Sequence, residues 1–259
     1  MADSSMMICI KRPVRRGDRI RCSSAGIEVE FSGRPCALRV GDLLQKNGED
    51  LFRVLSVGWK TSQRGAAAVR EFELETLESL DAGAPTEMDV SRRGYALAWI
   101  TLSDKGAAGL REDSSGPLLG ELVRESLELR HEQGFVIPDE INGLRALLTD
   151  LALEQGYDLV LTTGGTGVAP RDITPEATLA VIDRRLPGYE RAMTAESLKK
   201  TPHGAISRAV AGTLGQALIV NMPGSPKAVR ECLAPLLPTF RHTLEKLQGD
   251  PSDCASLSL

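Results

Sequence analysis

Hydrophobic and polar positions follow two rhythms along this chain. Up to about residue 84 the apolar positions come in short alternating runs, over 6–10, 19–22, 27–31, 37–40, 52–57 and 70–74. That is the period-two signature of strands that bury one face. Turn formers separate the runs at Arg16-Gly17-Asp18, Ser32-Gly33, Gly41-Asp42 and Asn47-Gly48. This texture predicts a small antiparallel β domain over 1–84, barrel-like in form. A stretch opening with Asp81-Ala82-Gly83-Ala84-Pro85-Thr86 follows, and 85–94 reads as a linker.

From Tyr95 the rhythm changes. The run YALAWITL over 95–102 is continuously apolar, as in a strand covered on both faces. Further strands are predicted over 134–137, 159–162 and 217–221. Helices are predicted over 117–129, 141–154, 178–182, 189–198, 226–236 and 239–247. Alternating β and α elements predict an α/β fold over 95–249: three α/β/α layers around a mostly parallel sheet. Residues 250–259 are small and polar and read as a flexible tail.

The most distinctive stretch runs from Leu159 to Ala177. An apolar strand empties into three glycines and three threonines between Thr162 and Gly167. It closes on a helix start, with Thr174 as N-cap, Pro175 at the first helical position and Glu176 in the first turn. A strand that opens into a glycine-rich loop presents backbone N–H groups to a phosphate. The loop lacks the Gly-Lys-Ser/Thr ending of a P-loop and the glycine spacing of a dinucleotide fingerprint. Asp172 adds a carboxylate, and a carboxylate beside a phosphate site commonly holds a cation. A plain tight turn remains the alternative for Gly164-Gly165.

Ligands of parallel sheets bind at the carboxyl ends of the strands. Four polar clusters fall at predicted strand ends: Ser103-Asp104, Pro138-Asp139, the loop from Thr163 to Asp172, and Pro223-Gly224-Ser225. Independent structural turns would not all need polar, acidic or glycine residues on one edge. Asp139 and Asp172 are candidate ligands of a Mg²⁺ that clamps a triphosphate. The glycine loop is suited to one phosphate, and the helix start at Ser225 to another. Asp139 as a helix cap and Ser103-Asp104 as a turn are the structural alternatives, and Lys105 and Arg171 suit either phosphate or water. No Ser–His or Cys–His pairing is visible. The chemistry indicated is direct transfer between two bound ligands by positioning and charge stabilisation.

Composition narrows the partners. Hydrophobic residues make up 42% and charged residues 25% of 259 residues, an ordinary globular balance that can bury a sizeable core. A net charge of −4 and 4% aromatics argue against nucleic-acid binding. The basic cluster at Lys11, Arg12, Arg15, Arg16, Arg19 and Arg21 reads as a charged strand edge, with an anionic-ligand patch as the alternative. Five cysteines (Cys9, Cys22, Cys36, Cys232, Cys254) without a CxxC, and the scattered His131, His203 and His242, argue against zinc and disulfides. A reducing, cytoplasmic setting and no membrane association are expected.

These residues resemble a known family. The segments Ile100 to Asp104, Asp113-Ser114-Ser115-Gly116, Ile137-Pro138-Asp139-Glu140, Leu161 to Gly167, Pro170 to Thr178, and Asn221 to Lys227 are similar in order and spacing to the molybdopterin adenylyltransferases of molybdenum-cofactor biosynthesis. The resemblance covers 95 to about 249. It implies attack by the terminal phosphate of molybdopterin on the α-phosphate of Mg-ATP, with release of pyrophosphate. It also implies catalytic and metal-binding roles for Asp139 and Asp172. Substrate contacts are implied for Ser103, Asp104, Gly164, Gly165, Thr166, Gly167 and Ser225. A trimer, and a downstream molybdate insertase as partner, are further implications. Since a sister branch of the family includes pterin binders, a molybdopterin-binding or carrier module stands as the alternative. The resemblance does not extend to residues 1–84. For a MOSC-like carrier domain there, Cys36 is the candidate residue, with a buried structural cysteine as the alternative.

Overall fold

The computed structural model describes residues 5–24, 29–32, 37–61 and 67–251. The chain forms two compact units, Met1–Gly94 and Tyr95–Leu259.

The first unit is a closed barrel of seven strands: β1 (Ser5–Ile10), β2 (Arg19–Ser23), β3 (Val29–Ser32), β4 (Leu43–Lys46), β5 (Glu49–Lys60), β6 (Val69–Thr76) and β7 (Thr86–Ser91). They are ordered β1-β3-β2-β6-β5-β4-β7, and β7 pairs back onto β1. All pairs are antiparallel except the short β2–β3 contact. Met6, Ile8, Ile20, Cys22, Phe72 and Leu74 alternate into one core. In β5 the buried series Phe52, Val54 changes phase to Val57. A register shift between Val54 and Ser56 absorbs the extra residue and turns Val57 inward. β4 and β5 are joined by Asn47-Gly48 at φ 54 and 82, the left-handed pair a two-residue hairpin demands.

Two expectations are corrected in this unit. The predicted linker over 85–94 contains β7, which pairs with both β1 and β4. Its core contacts are Met88 and the partly buried Val90, alternating with Glu87 and Asp89, an apolar series of two that is too short to stand out behind Pro85. The run over 37–40 is not a strand, although Leu38 and Val40 are buried. There the Asp42 carboxylate accepts the Arg39 N–H (2.9 Å) and folds the chain into a turn, and the strand starts later, at Leu43. Cys36, Cys254 and residues 252–259 of the tail lie outside the described residues.

The second unit is a three-layer α/β/α fold. Its elements are β8 (Tyr95–Leu102), α1 (Asp104–Ala107), α2 (Ser115–Arg124), β9 (Leu129–Ile137), α3 (Ile141–Thr149), β10 (Leu159–Thr163), α4 (Thr174–Leu179), β11 (Arg184–Arg185), α5 (Pro187–Lys200), β12 (Ala211–Leu214), β13 (Ala217–Met222), α6 (Pro226–Leu233) and α7 (Leu237–Leu247). The sheet runs β11-β12-β13-β10-β8-β9. β13, β10, β8 and β9 are parallel, while β12 and β11 are antiparallel additions at one edge. One face packs Leu97, Leu161 and Val220 against Leu119, Met193, Val229 and Phe240 of the helices.

On the sheet, Asn221 is fully buried and satisfied. Its Nδ2 donates to Thr162 Oγ1 (3.0 Å) and Thr178 Oγ1 (2.9 Å), and its Oδ1 accepts the Val210 N–H (3.2 Å). This network ties α4 to the strands that carry the glycine loop.

Several boundaries differ from the sequence reading. β9 spans nine residues rather than four, because an edge strand keeps polar His131, Glu132 and Gln133 and breaks the apolar run. α2 ends at Arg124 and α3 at Thr149, with a π-helical turn Asp150–Gln155 following α3. α4 spans Thr174–Leu179 rather than 178–182. β11 and β12 were not predicted; they offer two and four residues of pattern.

Candidate active site

Register sets the site. Leu102 lies opposite Ile137, Thr101 opposite Thr163, and Thr163 opposite Met222. The carboxyl ends of β9, β8, β10 and β13 are therefore level. Ser103-Asp104, Pro138-Asp139, the glycine loop and Pro223–Ser225 emerge side by side on one rim.

Gly164 and Gly165 have φ of 99 and 62, a region side chains rarely adopt. A β-carbon on Gly164 would stand 2.7 Å from the Leu102 carbonyl oxygen, and one on Gly165 2.5 Å from Thr174 Oγ1. The loop is thus drawn against β8 on one side and α4 on the other. Thr174 is not an N-cap as predicted. It is the first residue of α4, and its hydroxyl donates to the Gly164 carbonyl (2.8 Å), closing the loop on itself.

Two carboxylates flank this loop. The Gly165 β-position is 3.6 Å from Asp139 Oδ1, and the Gly167 β-position is 2.7 Å from Asp172 Oδ2. Asp172 Oδ2 also accepts the Ala169 N–H (2.7 Å). Asp139 and Asp104 hold each other. The Asp139 N–H donates to Asp104 Oδ1 (3.1 Å), and the Asp104 N–H to Asp139 Oδ2 (3.2 Å). Arg171 pairs with both oxygens of Asp104. Burial pushes the Asp139 carboxyl above its ordinary pKa. The negative charges of Asp104 and Asp172 push the same way, against the Asp104 N–H and Arg171.

The donor set suits a hard divalent cation. It consists of oxygens, it is crowded with like charge, and Arg171 already engages Asp104. Among the described residues no group of three or more His, Cys, Asp or Glu is arranged to hold a metal. Two carboxylates fit a Mg²⁺ that keeps waters and takes its remaining ligands from phosphate oxygens.

Beside the loop lies a cavity of about 370 Å³, walled by Ser103, Asp113, Ser115, Thr163, Gly164 and Ser225 among others. The predicted residues thus divide. Ser103, Gly164 and Ser225 line the cavity, whereas Asp104, Asp139, Gly165, Thr166, Gly167 and Asp172 lie outside its wall. Ser225 caps α6 as expected, accepting the Ala228 N–H (3.2 Å). Ser103 caps α1 by accepting the Gly106 N–H (3.0 Å). Ser115 donates to Gly224 O (2.8 Å) and Thr163 to Pro223 O (2.7 Å), pinning the 223–224 turn beside the loop.

Sequence reasoning left Asp113 without a role. It accepts the Thr101 hydroxyl (2.6 Å) and the N–H groups of Ser115 (3.1 Å) and Gly116 (3.0 Å), fixing the start of α2 over the cavity. An Asp two residues before a helix start was the available signal. Trp99 was also unmarked. β-carbons on Gly116, Gly120 and Gly134 would stand 2.5, 2.9 and 2.4 Å from its indole, so α2 and β9 close on this ring only through glycine.

Comparison with known proteins accords with this geometry. The Helicobacter pylori (strain J99) protein named molybdopterin adenylyltransferase is 39% identical over 155 residues, 58% of this chain and 86% of that protein. Gephyrin of Dictyostelium discoideum is 38% identical over 166 residues, 61% of this chain, but the match spans 23% of that longer protein. Among solved structures, the molybdopterin biosynthesis enzyme MoaB of Thermus thermophilus superposes with a TM-score of 0.56 at 42% identity, covering 61% of this chain and 99% of that one. The family described as "Probable molybdopterin binding domain" matches residues 98–242, from within β8 into α7 and across the whole rim, and the chain belongs to it.

Proposed function

We propose that the second unit is a Mg-ATP-dependent molybdopterin adenylyltransferase. The observation that carries this reading is the pair Asp139 and Asp172 flanking one glycine loop, beside a cavity on the same rim. One ligand occupies the cavity and the other lies along the loop, with their phosphates meeting at the carboxylates. The terminal phosphate oxygen of molybdopterin attacks the α-phosphorus of ATP. A new P–O bond forms, the bond to the β,γ-diphosphate breaks, and that group leaves as pyrophosphate. A bound Mg²⁺ would neutralise charge on the phosphate oxygens, held by Asp139 and Asp172. The loop N–H groups stabilise the charge that builds on the transferred phosphorus. Asp104 is paired with Arg171 and orients Asp139 through the paired backbone contacts.

The experiment is incubation with molybdopterin and Mg-ATP. Pyrophosphate release supports the transferase, whereas stable molybdopterin binding without release supports a carrier module. The same reading implies a trimer and onward delivery of the product to a molybdate insertase. Sedimentation and transfer of the adenylylated product to an insertase test these. A cytoplasmic setting also belongs to this reading; no helix among the described residues is long and apolar enough to cross a membrane.

A further inference from the structure

Between α5 and β12 the chain approaches the glycine loop and carries Arg208. The Arg208 N–H donates to the Thr166 carbonyl (2.9 Å). Its side chain donates through Nε to the Gly167 carbonyl (2.6 Å) and through Nη2 to the Asp172 carbonyl (2.7 Å). Nη1 pairs with Glu176 on α4. One planar fork therefore holds both ends of the loop's distal half and the helix that follows it.

We propose that Arg208 is a positioning residue that sets the direction of the loop peptides, turning their N–H groups to the phosphate side and fixing the stance of Asp172. A trans peptide points its C=O and N–H in opposite directions. With the carbonyls of Thr166, Gly167 and Asp172 drawn to Arg208, the N–H groups of Gly167, Val168 and Ile173 point away from it. Among the described residues, none of these three N–H groups has a protein acceptor. Successive unpaired N–H groups facing one way make an anion-binding concavity. The Asp172 carboxylate, held by the Ala169 N–H within the same loop, stands at its end. The spacing calls for a guanidinium, because a single ammonium cannot span two carbonyls and a carboxylate in one plane. This inference rests on the phosphate-binding reading of the rim.

The test uses the full chain with Arg208→Gln, Arg208→Lys and Glu176→Gln. Amide hydrogen exchange across 164–173 and binding of Mg-pyrophosphate are measured beside turnover. Both Arg208 variants are expected to raise loop exchange and weaken pyrophosphate by at least about tenfold, the loss of charge-assisted bonds, with exchange elsewhere in the α/β unit unchanged. In turnover, kcat is expected to fall at least about thirtyfold while KM for molybdopterin stays within about twofold. Glu176→Gln leaves the carbonyl bonds in place and is expected to weaken pyrophosphate only about two- to fivefold.

Wild-type exchange and pyrophosphate affinity in either Arg208 variant overturn the proposal; if Lys alone behaves as wild type, charge rather than the fork is what matters. Failure of the unaltered chain to bind Mg-pyrophosphate also overturns it. If the unaltered chain binds pyrophosphate but does not release it from molybdopterin and Mg-ATP, the transferase reading falls, and the exchange and binding data still decide Arg208. Should the Gln variant not fold, the Lys and Glu176 variants carry the same comparison.

Discussion

The barrel and the rim of the α/β unit dispose of their acidic side chains in opposite ways. In the barrel, charged groups on neighbouring strands face each other: Arg53 meets Glu75 (3.0 Å), Lys60 meets Glu71 (3.1 Å), and Lys11 pairs with Glu30. Closure removes the sheet edge, and cross-strand pairs take up the exterior charges. In the α/β unit the parallel strands all end on one side, and that side gathers Asp104, Asp139, Asp172 and a loop whose Gly167, Val168 and Ile173 N–H groups have no protein acceptor among the described residues. Asp42 sharpens the contrast. Among the described residues it is the fully buried acid of the barrel, and Arg92 meets it at 2.6 Å. Asp139 is the acid of the rim, and burial together with neighbouring carboxylates raises its pKa. An acid neutralised from within serves the fold, and an acid left crowded is available to a ligand.

The largest expected effect tests the rim. Asp172→Asn should lower pyrophosphate release about 10²- to 10³-fold and leave the thermal transition in place. Unchanged turnover would remove Asp172 from the chemistry. Next comes the barrel core. Phe52→Ala should destabilise the barrel by about 3–5 kcal/mol in urea titrations, with turnover intact at low denaturant. A smaller effect is expected at Gly120→Ala, whose new methyl would meet Trp99 Cζ3 at 2.9 Å. A loss of about 1–3 kcal/mol from the α/β transition is expected there.

Asp139→Asn gives the subtler test. The folded pKa of Asp139 lies above its ordinary value of 3.8. The stability tied to its protonated form is therefore fully present below the unfolded value and lost as pH rises through the folded one. The variant should melt higher than the parent at pH 7, with the difference closing on acidification, while its turnover collapses. A lower melting temperature at pH 7 would show that the crowding is compensated. Smallest is Lys60→Ala, an exposed pair expected to change barrel stability by less than about 1 kcal/mol.

Much of the α/β unit was legible because its strands are buried on both faces and its turns carry glycine, proline and acid at fixed places. Leu159 to Gly167 announces a strand and loop from residue types alone, and Ser225-Pro226 announces the start of α6. β7 and β9 were harder to read. One offers only Met88 and Val90 around Asp89, and the other is an edge strand with polar His131 to Gln133, so periodicity fades where a strand is half wet. Asp139 and Asp172 were readable as acids at strand ends. Asp113 and Arg208 were not, because their importance lies in which backbone atoms they reach, and nothing in residue type records that.

The chain has two tryptophans, one in each unit. Trp59 is 61% exposed and lies under the Arg70 guanidinium, 4.8 Å from its ring centre. Trp99 sits half-covered among three glycines, close to Asp113 of the cavity wall. Their emission should differ in colour and in access to quenchers, so one spectrum carries two separable signals. A bluer, shielded component reports occupancy and melting of the sheet, and a redder, quenchable one reports the barrel, without any attached dye.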